Sequence, residues 1–297
     1  MSVFRQPWLF RLFAVRPLVC TISDKGLFLD QNNGPSRLIK WEQFSSGPVR
    51  RGGLFFSRID FTVEGRSESI NWLGKSTSRD LREHLYRRLI DVHRARAKAS
   101  LSQVASLVNK SGYLRTSHAQ AIAQFASSQK QRLILPPSDV ELTTDKIQPF
   151  EELQQWAESD PALIEQIRND FLAAELDRFR ELFDTVESNP LTGKQREACV
   201  IDEDNNLVLA GAGTGKTSTM IGRAAYLLKS RRAVDADILM LAFGRKAADE
   251  MQERIAEKIP GASVKAATFH SLGLTIIGQV EGAKPKMHPL AEDDAAL

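Results

Sequence analysis

A glycine-rich stretch in the second half of the chain has the spacing of a phosphate-binding loop. The apolar run 207–210 predicts a buried parallel strand, and a helix is predicted from Lys216 onwards. Between them, glycines would let backbone N–H groups approach a polyphosphate, because no Cβ stands in the way. The amino end of the helix would also attract the phosphates, because it is the positive end of the helix dipole. The pattern predicts a nucleotide-binding loop made of Ala210, Gly211, Ala212, Gly213, Thr214, Gly215, Lys216, Thr217 and Ser218.

Two side chains of this loop would carry its chemistry. Lys216 would place its ammonium on the β and γ phosphates, and the Thr217 hydroxyl would hold Mg²⁺. Ala210 stands where the strict pattern has glycine, and its small side chain keeps the turn feasible. The alternative is a glycine-rich strand-to-helix turn with no ligand. We favour nucleotide binding, because a strand and a helix are both predicted at the flanks.

Charge is segregated along the 297 residues, which are enough for two or three domains. The net charge is only +3, yet residues 1–100 carry 18 Lys/Arg against 9 Asp/Glu. Residues 139–190 carry 4 basic against 14 acidic side chains. A basic N-terminal segment suits binding to a polyanion, either nucleic acid or an anionic membrane surface. The equally open alternative is that these charges form an ordinary solvated face.

The two cysteines, Cys20 and Cys199, lie far apart in apolar runs and are interpreted as buried free thiols of a reducing compartment. No apolar run reaches membrane-spanning length. The apolar opening, residues 1–15, is broken by Arg11 and followed by Arg16, and no small-residue cleavage site follows. We therefore reject a signal peptide and favour packing of this opening against its own domain over an interfacial helix.

The first part of the chain predicts short strands followed by a helix. Strands are predicted at 17–22, 27–29, 37–41, 52–56, 58–63 and 68–72. An amphipathic helix follows from about residues 76–78, with Leu81, Leu85, Leu89 and Val92 on one face. Antiparallel strands closed by one C-terminal helix resemble a pleckstrin-homology-like (PH-like) barrel, which we assign to residues 1–97. Arginines on or beside these strands could meet phosphates or face solvent: Arg50, Arg51, Arg58 and Arg66.

Residues 98–190 predict helices, interpreted either as a rigid arm or linker or as a plain helical subdomain. Residues 191–297 predict an α/β domain. Its strands are expected at 207–210, 237–243 and 264–268, and its helices at 192–200, 216–228, 246–259 and from 271. In the third helix, Ala247, Met251, Ile255 and Ile259 would face inward. Alternating strands and helices predict a parallel sheet with right-handed crossovers.

Four motifs in this last part resemble UvrD/Rep-type superfamily 1 DNA helicases. They are Leu191-Thr192-x-x-Gln195, the loop 210–217, Ala242-Phe-Gly-Arg-Lys-Ala-Ala-x-Glu-Met251 and Thr268-Phe-His-Ser271, in family order and spacing. The Ala-Phe-Gly-Arg-Lys form and the long N-terminal extension are most similar to the DNA helicase IV subgroup. The resemblance implies an incomplete RecA-like ATP-binding helicase domain 1A at 191–297, with ATP and Mg²⁺ as cofactors and single-stranded or duplex DNA as partner.

The resemblance also implies roles for individual residues. Gln195 would read the adenine edge through its side-chain amide. Single-stranded DNA would be contacted by Phe243, Gly244, Arg245, Lys246, Thr268, Phe269, His270 and Ser271. Gly244 and Arg245 replace two polar residues of the family, so Arg245 would supply a phosphate contact. Without the resemblance, Phe243 would be a core residue at a strand end and His270 a helix-start residue.

The implied function is an ATP-dependent DNA helicase, moving 3′ to 5′ and acting in DNA repair in a bacterial cytoplasm. The 297 residues lack a later Asp-Glu strand motif and a second RecA-like domain. We therefore expect the N-terminal part of a longer helicase rather than a short protein, with negligible ATPase activity alone. The alternative is a non-catalytic nucleotide- and DNA-binding module, or one that docks a membrane or a protein. A small-molecule kinase is disfavoured, because no lid or acceptor site follows Thr217.

Overall fold

The computed structural model describes residues 2–7, 18–30 and 35–283. The chain forms two compact units, Met1–Gln166 (unit 1) and Ile167–Leu297 (unit 2). Most of the apolar opening, from residue 8 to residue 15, lies outside the described residues, so the interpretation made for it applies to a part that the structure does not describe. Within the described ranges, no helix is long and apolar enough to cross a membrane.

Unit 1 begins with two antiparallel sheets. The first has four strands in the order β1 (Ser2–Arg5), β2 (Val19–Ile22), β3 (Gly26–Asp30) and β4 (Arg37–Lys40). The second has three strands in the order β5 (Val49–Gly52), β6 (Ser57–Val63) and β7 (Arg66–Leu73). Alternate residues of β6 are buried, as expected for strands that cover a core on one face. The buried residues of both sheets form one hydrophobic core with residues from the first turns of helix α1 (Lys75–Ser111).

One predicted strand of this part, 52–56, is wrong. The nearest observed strand is β5, which ends at Gly52 instead of starting there. The next residues form a turn, in which the Gly53 N–H donates to the Phe56 carbonyl at 2.7 Å. The reason is the Gly52-Gly53 pair, because adjacent glycines favour a tight reversal over an extended ladder. Leu54 and Phe55 are consequently exposed at the tip instead of alternating into the core.

Helix α1 continues through the boundary that the sequence placed after residue 97. No glycine or proline interrupts it before Ser111, and Ala97 is fully buried. Helices α2 (Thr116–Lys130) and α3 (Thr144–Ala157) pack on it within unit 1. The first half of the predicted helical segment therefore belongs with the sheets. Helix α4 (Pro161–Arg178) contains the division between the units, ahead of the predicted boundary at 190/191.

Unit 2 continues with α5 (Arg180–Thr185), α6 (Gly193–Val200) and α7 (Lys216–Lys229). Then come β8 (Leu239–Ala242), α8 (Arg245–Lys258), β9 (Lys265–Thr268) and α9 (Phe269–Glu281). Strands β8 and β9 pair in parallel across α8, as the alternating pattern predicted. The core contains Phe183, Ile221, Tyr226, Ile255 and Val264. In α8 the inward alanine is Ala248, not Ala247, because Ala248, Met251 and Ile255 follow the helical steps of three and four.

The predicted buried strand at 207–210 is also wrong. These residues form no ladder, and Leu207 and Leu209 are 83% and 85% exposed. A strand is stabilised by hydrogen bonds with a neighbour, and in the described part of unit 2 strands β8 and β9 pair only with each other. The apolar run therefore leads into the glycine loop without a ladder partner.

Both cysteines are buried free thiols, as predicted. Burial raises the pKa of the Cys20 thiol to about 12. It raises the pKa of Cys199 to about 12 as well, against a smaller opposing effect of the Arg223 charge. The Cys199 thiol donates to the Thr219 carbonyl at 3.3 Å, which joins α6 to α7. Neither thiol has the lowered pKa that a nucleophile requires.

Candidate nucleotide and DNA site

The glycine loop ends in a backbone conformation that requires glycine. Gly213 and Gly215 have φ angles of 72° and 85°, and α7 begins directly afterwards at Lys216. A Cβ at Gly215 would lie 2.5 Å from the Gln195 Nε2 atom. The φ angle there favours glycine, and a Cβ would in addition require the end of the Gln195 side chain to move. The turn therefore brings the amino end of a 14-residue helix to the loop.

Gln195 connects α6 to this loop. Its Oε1 accepts the Thr192 backbone N–H at 2.8 Å, which completes a reciprocal cap at the start of α6. Its Nε2 donates to the Thr214 carbonyl at 3.1 Å. The Gln195 amide, predicted from the sequence to contact adenine, therefore lies beside the glycine loop and is held by hydrogen bonds on both sides.

The Lys216 ammonium lies against the opening residues of the loop. Its Nζ donates to the Gly211 carbonyl at 2.7 Å and to the Ala210 carbonyl at 3.2 Å. The Thr214 hydroxyl donates to the same Gly211 carbonyl at 2.8 Å. Ala212, which follows in the loop, is exposed. The loop is therefore curled around the exposed Lys216 cation, which lies within reach of a ligand at the loop.

Thr217 is half-buried in the first turn of α7, one residue after the lysine. Among the residues described, no group of three or more His, Cys, Asp or Glu could hold a metal ion by itself. Mg²⁺ commonly takes one or two protein oxygens and completes its shell with substrate phosphates and water. A lone threonine hydroxyl beside the glycine loop is compatible with that mode of binding.

An arginine that the sequence analysis missed lies beside the loop. The Arg254 Nη2 in α8 is 2.9 Å from both Glu187 carboxylate oxygens and donates to the Ser218 Oγ at 3.3 Å. The Glu187 side chain is largely buried, so this pair is shielded from water. Arg254 was missed because nothing in local spacing relates residues 187, 218 and 254. It ties the helix after β8 to the first turn of α7.

Two exposed aromatic side chains follow the paired ends of β8 and β9. Ala242 and Thr268 are register partners, so the next residues, Phe243 and Phe269, leave the sheet at the same edge. Phe243 is fully exposed and Phe269 is 67% exposed. Within the described part of the chain, Phe243 is therefore not part of a core.

Polar and basic groups surround this edge, which we call the aromatic edge (Phe243–Lys246 and Thr268–Ser271). Gly244 caps α8, so Arg245 and Lys246 begin that helix, and both are exposed. Thr268 is buried and caps α9: its Oγ1 accepts the Ser271 N–H at 3.2 Å, and the Ser271 Oγ accepts the Thr268 N–H at 2.9 Å. These two side chains are occupied in capping, whereas His270 is exposed. Two helix amino ends and two cations thus face one edge, which favours anions.

Comparison with known proteins bears on this same region. Residues 191–289 match the family model described as the UvrD/REP helicase N-terminal domain. This chain belongs to the UvrD-like helicase family. The UvrD/REP match includes the loop, Gln195, Arg254 and the aromatic edge.

Individual relatives agree with the UvrD/REP assignment. DNA helicase IV of Escherichia coli (strain K12) is 35% identical over 199 residues, which is 67% of this chain and 29% of that protein. ATP-dependent DNA helicase SRS2 of Saccharomyces cerevisiae is 41% identical over 93 residues, 29% of this chain and 8% of that protein. DNA helicase II of Rickettsia typhi is 37% identical over 109 residues, 35% of this chain and 17% of that protein. The chain thus spans less than a third of the length of these relatives.

Proposed function

We propose that unit 2 is the ATP-binding part of a DNA helicase and binds Mg²⁺ with a nucleoside triphosphate at residues 210–218. The observation that carries the proposal is the fit of Gly215 between Gln195 and the start of α7. The Gln195 amide lies where a Cβ would stand, so glycine at this position lets Gln195 approach the loop closely beside a helix amino end. The family match over residues 191–289 supports the same assignment.

Each loop residue then has a role that follows from its position. Lys216 exchanges its two carbonyl acceptors for phosphate oxygens, which are stronger partners for an ammonium because they are charged. Thr217 offers its hydroxyl to Mg²⁺, and the loop N–H groups together with the helix dipole neutralise the polyphosphate. Gln195 is positioned beside the loop for the base. When bound, ATP supplies the phosphoryl group whose transfer to water drives the motor.

We propose further that the aromatic edge binds single-stranded DNA. Phe243 and Phe269 provide exposed faces on which bases stack, and Arg245 and Lys246 provide cations for phosphates. Helix α8 starts at the aromatic edge and also carries Arg254, which donates to the Ser218 Oγ of the proposed nucleotide loop. A shift of α8 on DNA binding would therefore reach Ser218, one residue after the proposed Mg²⁺ ligand.

By the resemblance to its family, we infer that the protein moves 3′ to 5′, acts in DNA repair and works in a bacterial cytoplasm. We infer a PH-like fold for the sheets of unit 1 from the order of its strands and helix, and a RecA-like fold for unit 2 from the resemblance to the helicases. The 297-residue polypeptide is expected to bind ATP with little turnover, since its motifs include neither the Asp-Glu pair nor the later arginines.

A crossed pair of variants tests the proposal. Lys216→Ala should abolish binding of a fluorescent ATP analogue and leave single-stranded DNA binding unchanged. Arg245→Ala should weaken DNA binding and leave nucleotide binding unchanged. Lys229→Ala, which removes an exposed lysine at the other end of α7, is the control and should change neither. Equal nucleotide affinity of Lys216→Ala and Lys229→Ala would refute the assignment of the loop.

A further inference from the structure

A polar cavity of about 400 Å³ lies in unit 1, beside β5 and the first turns of α1. Arg50, Arg79 and Arg82 line it, together with Glu83 and Asp139. Neither the family match nor the proposed nucleotide site involves these residues. A charge in this cavity is available to a ligand only where no neighbour already neutralises it.

Two of the lining carboxylates are used in ion pairs. Arg82 donates through Nη1 and Nη2 to the two oxygens of Asp139 at 2.7 and 2.9 Å, and this contact lowers the pKa of Asp139 below its usual value. Glu83 accepts from Arg87 at 2.7 Å. Each of these pairs is close to neutral, so neither carboxylate is left to balance another cation of the cavity.

Arg50 has only neutral partners. Its Nε donates to the Ser78 Oγ at 2.8 Å and its Nη2 to the Ser57 Oγ at 3.1 Å. Both serines are buried, and the Ser78 hydroxyl is fixed in turn by the Lys75 carbonyl at 2.9 Å. The guanidinium is half-buried and held in place, and its Nη1 has no acceptor among the described residues. Two hydroxyls orient this cation without neutralising it.

Arg79 supplies a second uncompensated cation. It is exposed on the turn of α1 that follows Ser78, and it has no ion pair within the part of the chain that the structure describes. Both arginines lie near the amino end of a 37-residue helix, where the dipole favours an anion. A guanidinium presents its N–H groups in a fork that matches phosphate oxygens.

We propose that this arginine cavity binds a backbone phosphate of DNA, through Arg50 and Arg79. The proposal depends on the proposed function only for the choice of DNA as the source of the phosphate. Unit 1 as a whole is basic, with 23 Lys/Arg against 17 Asp/Glu over residues 1–166. A membrane surface is held by apolar side chains as well as by charge, and Val49 is the one exposed large apolar side chain among the lining residues.

The test measures binding of a short labelled DNA duplex to the 297-residue chain by fluorescence anisotropy at several salt concentrations. All proteins carry Phe243→Ala and Arg245→Ala, so that the aromatic edge contributes little. Arg79→Gln should weaken binding roughly eightfold at about 0.1 M salt and reduce the salt slope by about 0.9, as expected for one lost phosphate contact. Arg50→Gln should act in the same direction.

Arg66→Gln is the matched control, because Arg66 is another exposed arginine of unit 1 and does not line the cavity. Tryptophan fluorescence checks folding, because all four tryptophans lie in residues 1–166. Equal effects of Arg79→Gln and Arg66→Gln, or no effect of either, would overturn the proposal. So would Arg79-dependent binding of anionic phospholipid vesicles or of inorganic phosphate without any Arg79-dependent binding of DNA. Nucleotide binding by Lys216 is measured separately, so the failure of one proposal is distinguishable from the failure of the other.

Discussion

Ala242 and Thr268 are register partners at the ends of two parallel strands, and each is followed by an exposed phenylalanine. An exposed aromatic ring costs free energy in water, and here two of them leave the sheet at one edge. The next residues start α8 and α9, so helix amino ends lie at the same edge. The arrangement combines stacking faces with sites for phosphates, the combination that single-stranded nucleic acid requires.

The first prediction concerns these rings. Phe243→Ala and Phe269→Ala should each weaken binding of a labelled single-stranded oligonucleotide by about 1–3 kcal/mol, the usual contribution of one stacked base. Fluorescence anisotropy measures the effect. Phe55→Ala removes a similarly exposed phenylalanine from unit 1 and serves as control. If all three variants bind alike, the aromatic edge is not the DNA site.

The second prediction concerns Gly215. Gly215→Ala forces a left-handed conformation that costs about 1–2 kcal/mol, and its Cβ meets the Gln195 amide. Because the loop must shift, nucleotide binding should be lost while the protein stays folded. Adding Gln195→Ala relieves the clash, but it keeps the strained φ angle and removes the proposed base contact, so the double variant should not recover nucleotide binding.

Gly193→Ala is the control for this pair, because a Cβ there meets nothing within 4 Å. It should leave nucleotide binding unchanged, as followed by titration with a fluorescent analogue. Unchanged binding by Gly215→Ala would contradict the geometry assigned to the loop.

Sequence patterns predicted part of this arrangement and missed the rest for identifiable reasons. The steps of three and four along α8 and the short apolar runs of β8 and β9 are local, so these elements were found. The run at 207–210 had the same apolar character, yet strand formation also depends on a neighbour, which a local pattern does not contain. The turn after Gly52 was visible as a glycine pair and was misread as strand.

In the candidate site, the spacing predicted the glycine loop and the family resemblance predicted the residues of the aromatic edge, but neither revealed which distant residues contact the loop. The bond from Arg254 to Ser218 and the bond from Gln195 to Thr214 join residues far apart in the chain. Such contacts follow from packing of whole elements. The same holds for Arg50, whose charge was noted in the sequence, whereas its buried serine partners were not.

The third prediction is a pH dependence of unit 1. His93 is fully buried; its Nδ1 accepts the Ile134 N–H at 3.3 Å, and its Nε2 has no hydrogen-bond partner in the described part. Burial, with a smaller effect of the Arg96 charge, lowers the pKa of His93 to about 4. Between about pH 6.5 and 4 the unfolded chain therefore binds a proton that the folded chain does not. Stability should fall by up to roughly 3 kcal/mol as the pH is lowered through this window.

Urea unfolding followed by tryptophan fluorescence measures this fall, since the tryptophans report on unit 1. His93→Asn keeps an acceptor for the Ile134 N–H without a titrating ring, so its stability should vary less over the window. His84→Gln changes an exposed histidine and should retain the dependence of the original protein. A steep fall in His93→Asn equal to that of His84→Gln would contradict the assignment.

The fourth prediction concerns the buried Glu175 carboxylate in unit 2. The Tyr226 hydroxyl donates to it at 2.6 Å, and Arg232 lies 3.4 Å from the same oxygen. Tyr226→Phe removes the shorter contact and leaves a buried charge poorly satisfied, so it should cost about 1–3 kcal/mol in urea unfolding followed by circular dichroism. Arg178→Ala removes an exposed partner of Glu175 and should cost much less. The reverse order of the two costs would show that the tyrosine contact is unimportant.

The fifth prediction tests the central claim most directly, by calorimetric titration of the 297-residue chain with a non-hydrolysable ATP analogue. We expect saturable heat at one site per chain in the presence of Mg²⁺, weaker binding when Mg²⁺ is chelated, and no binding by Lys216→Ala. Lys229→Ala should match the original protein. The absence of heat from the folded chain, or equal heats from the Lys216→Ala and Lys229→Ala variants, would contradict the assignment of residues 210–218 as the nucleotide site.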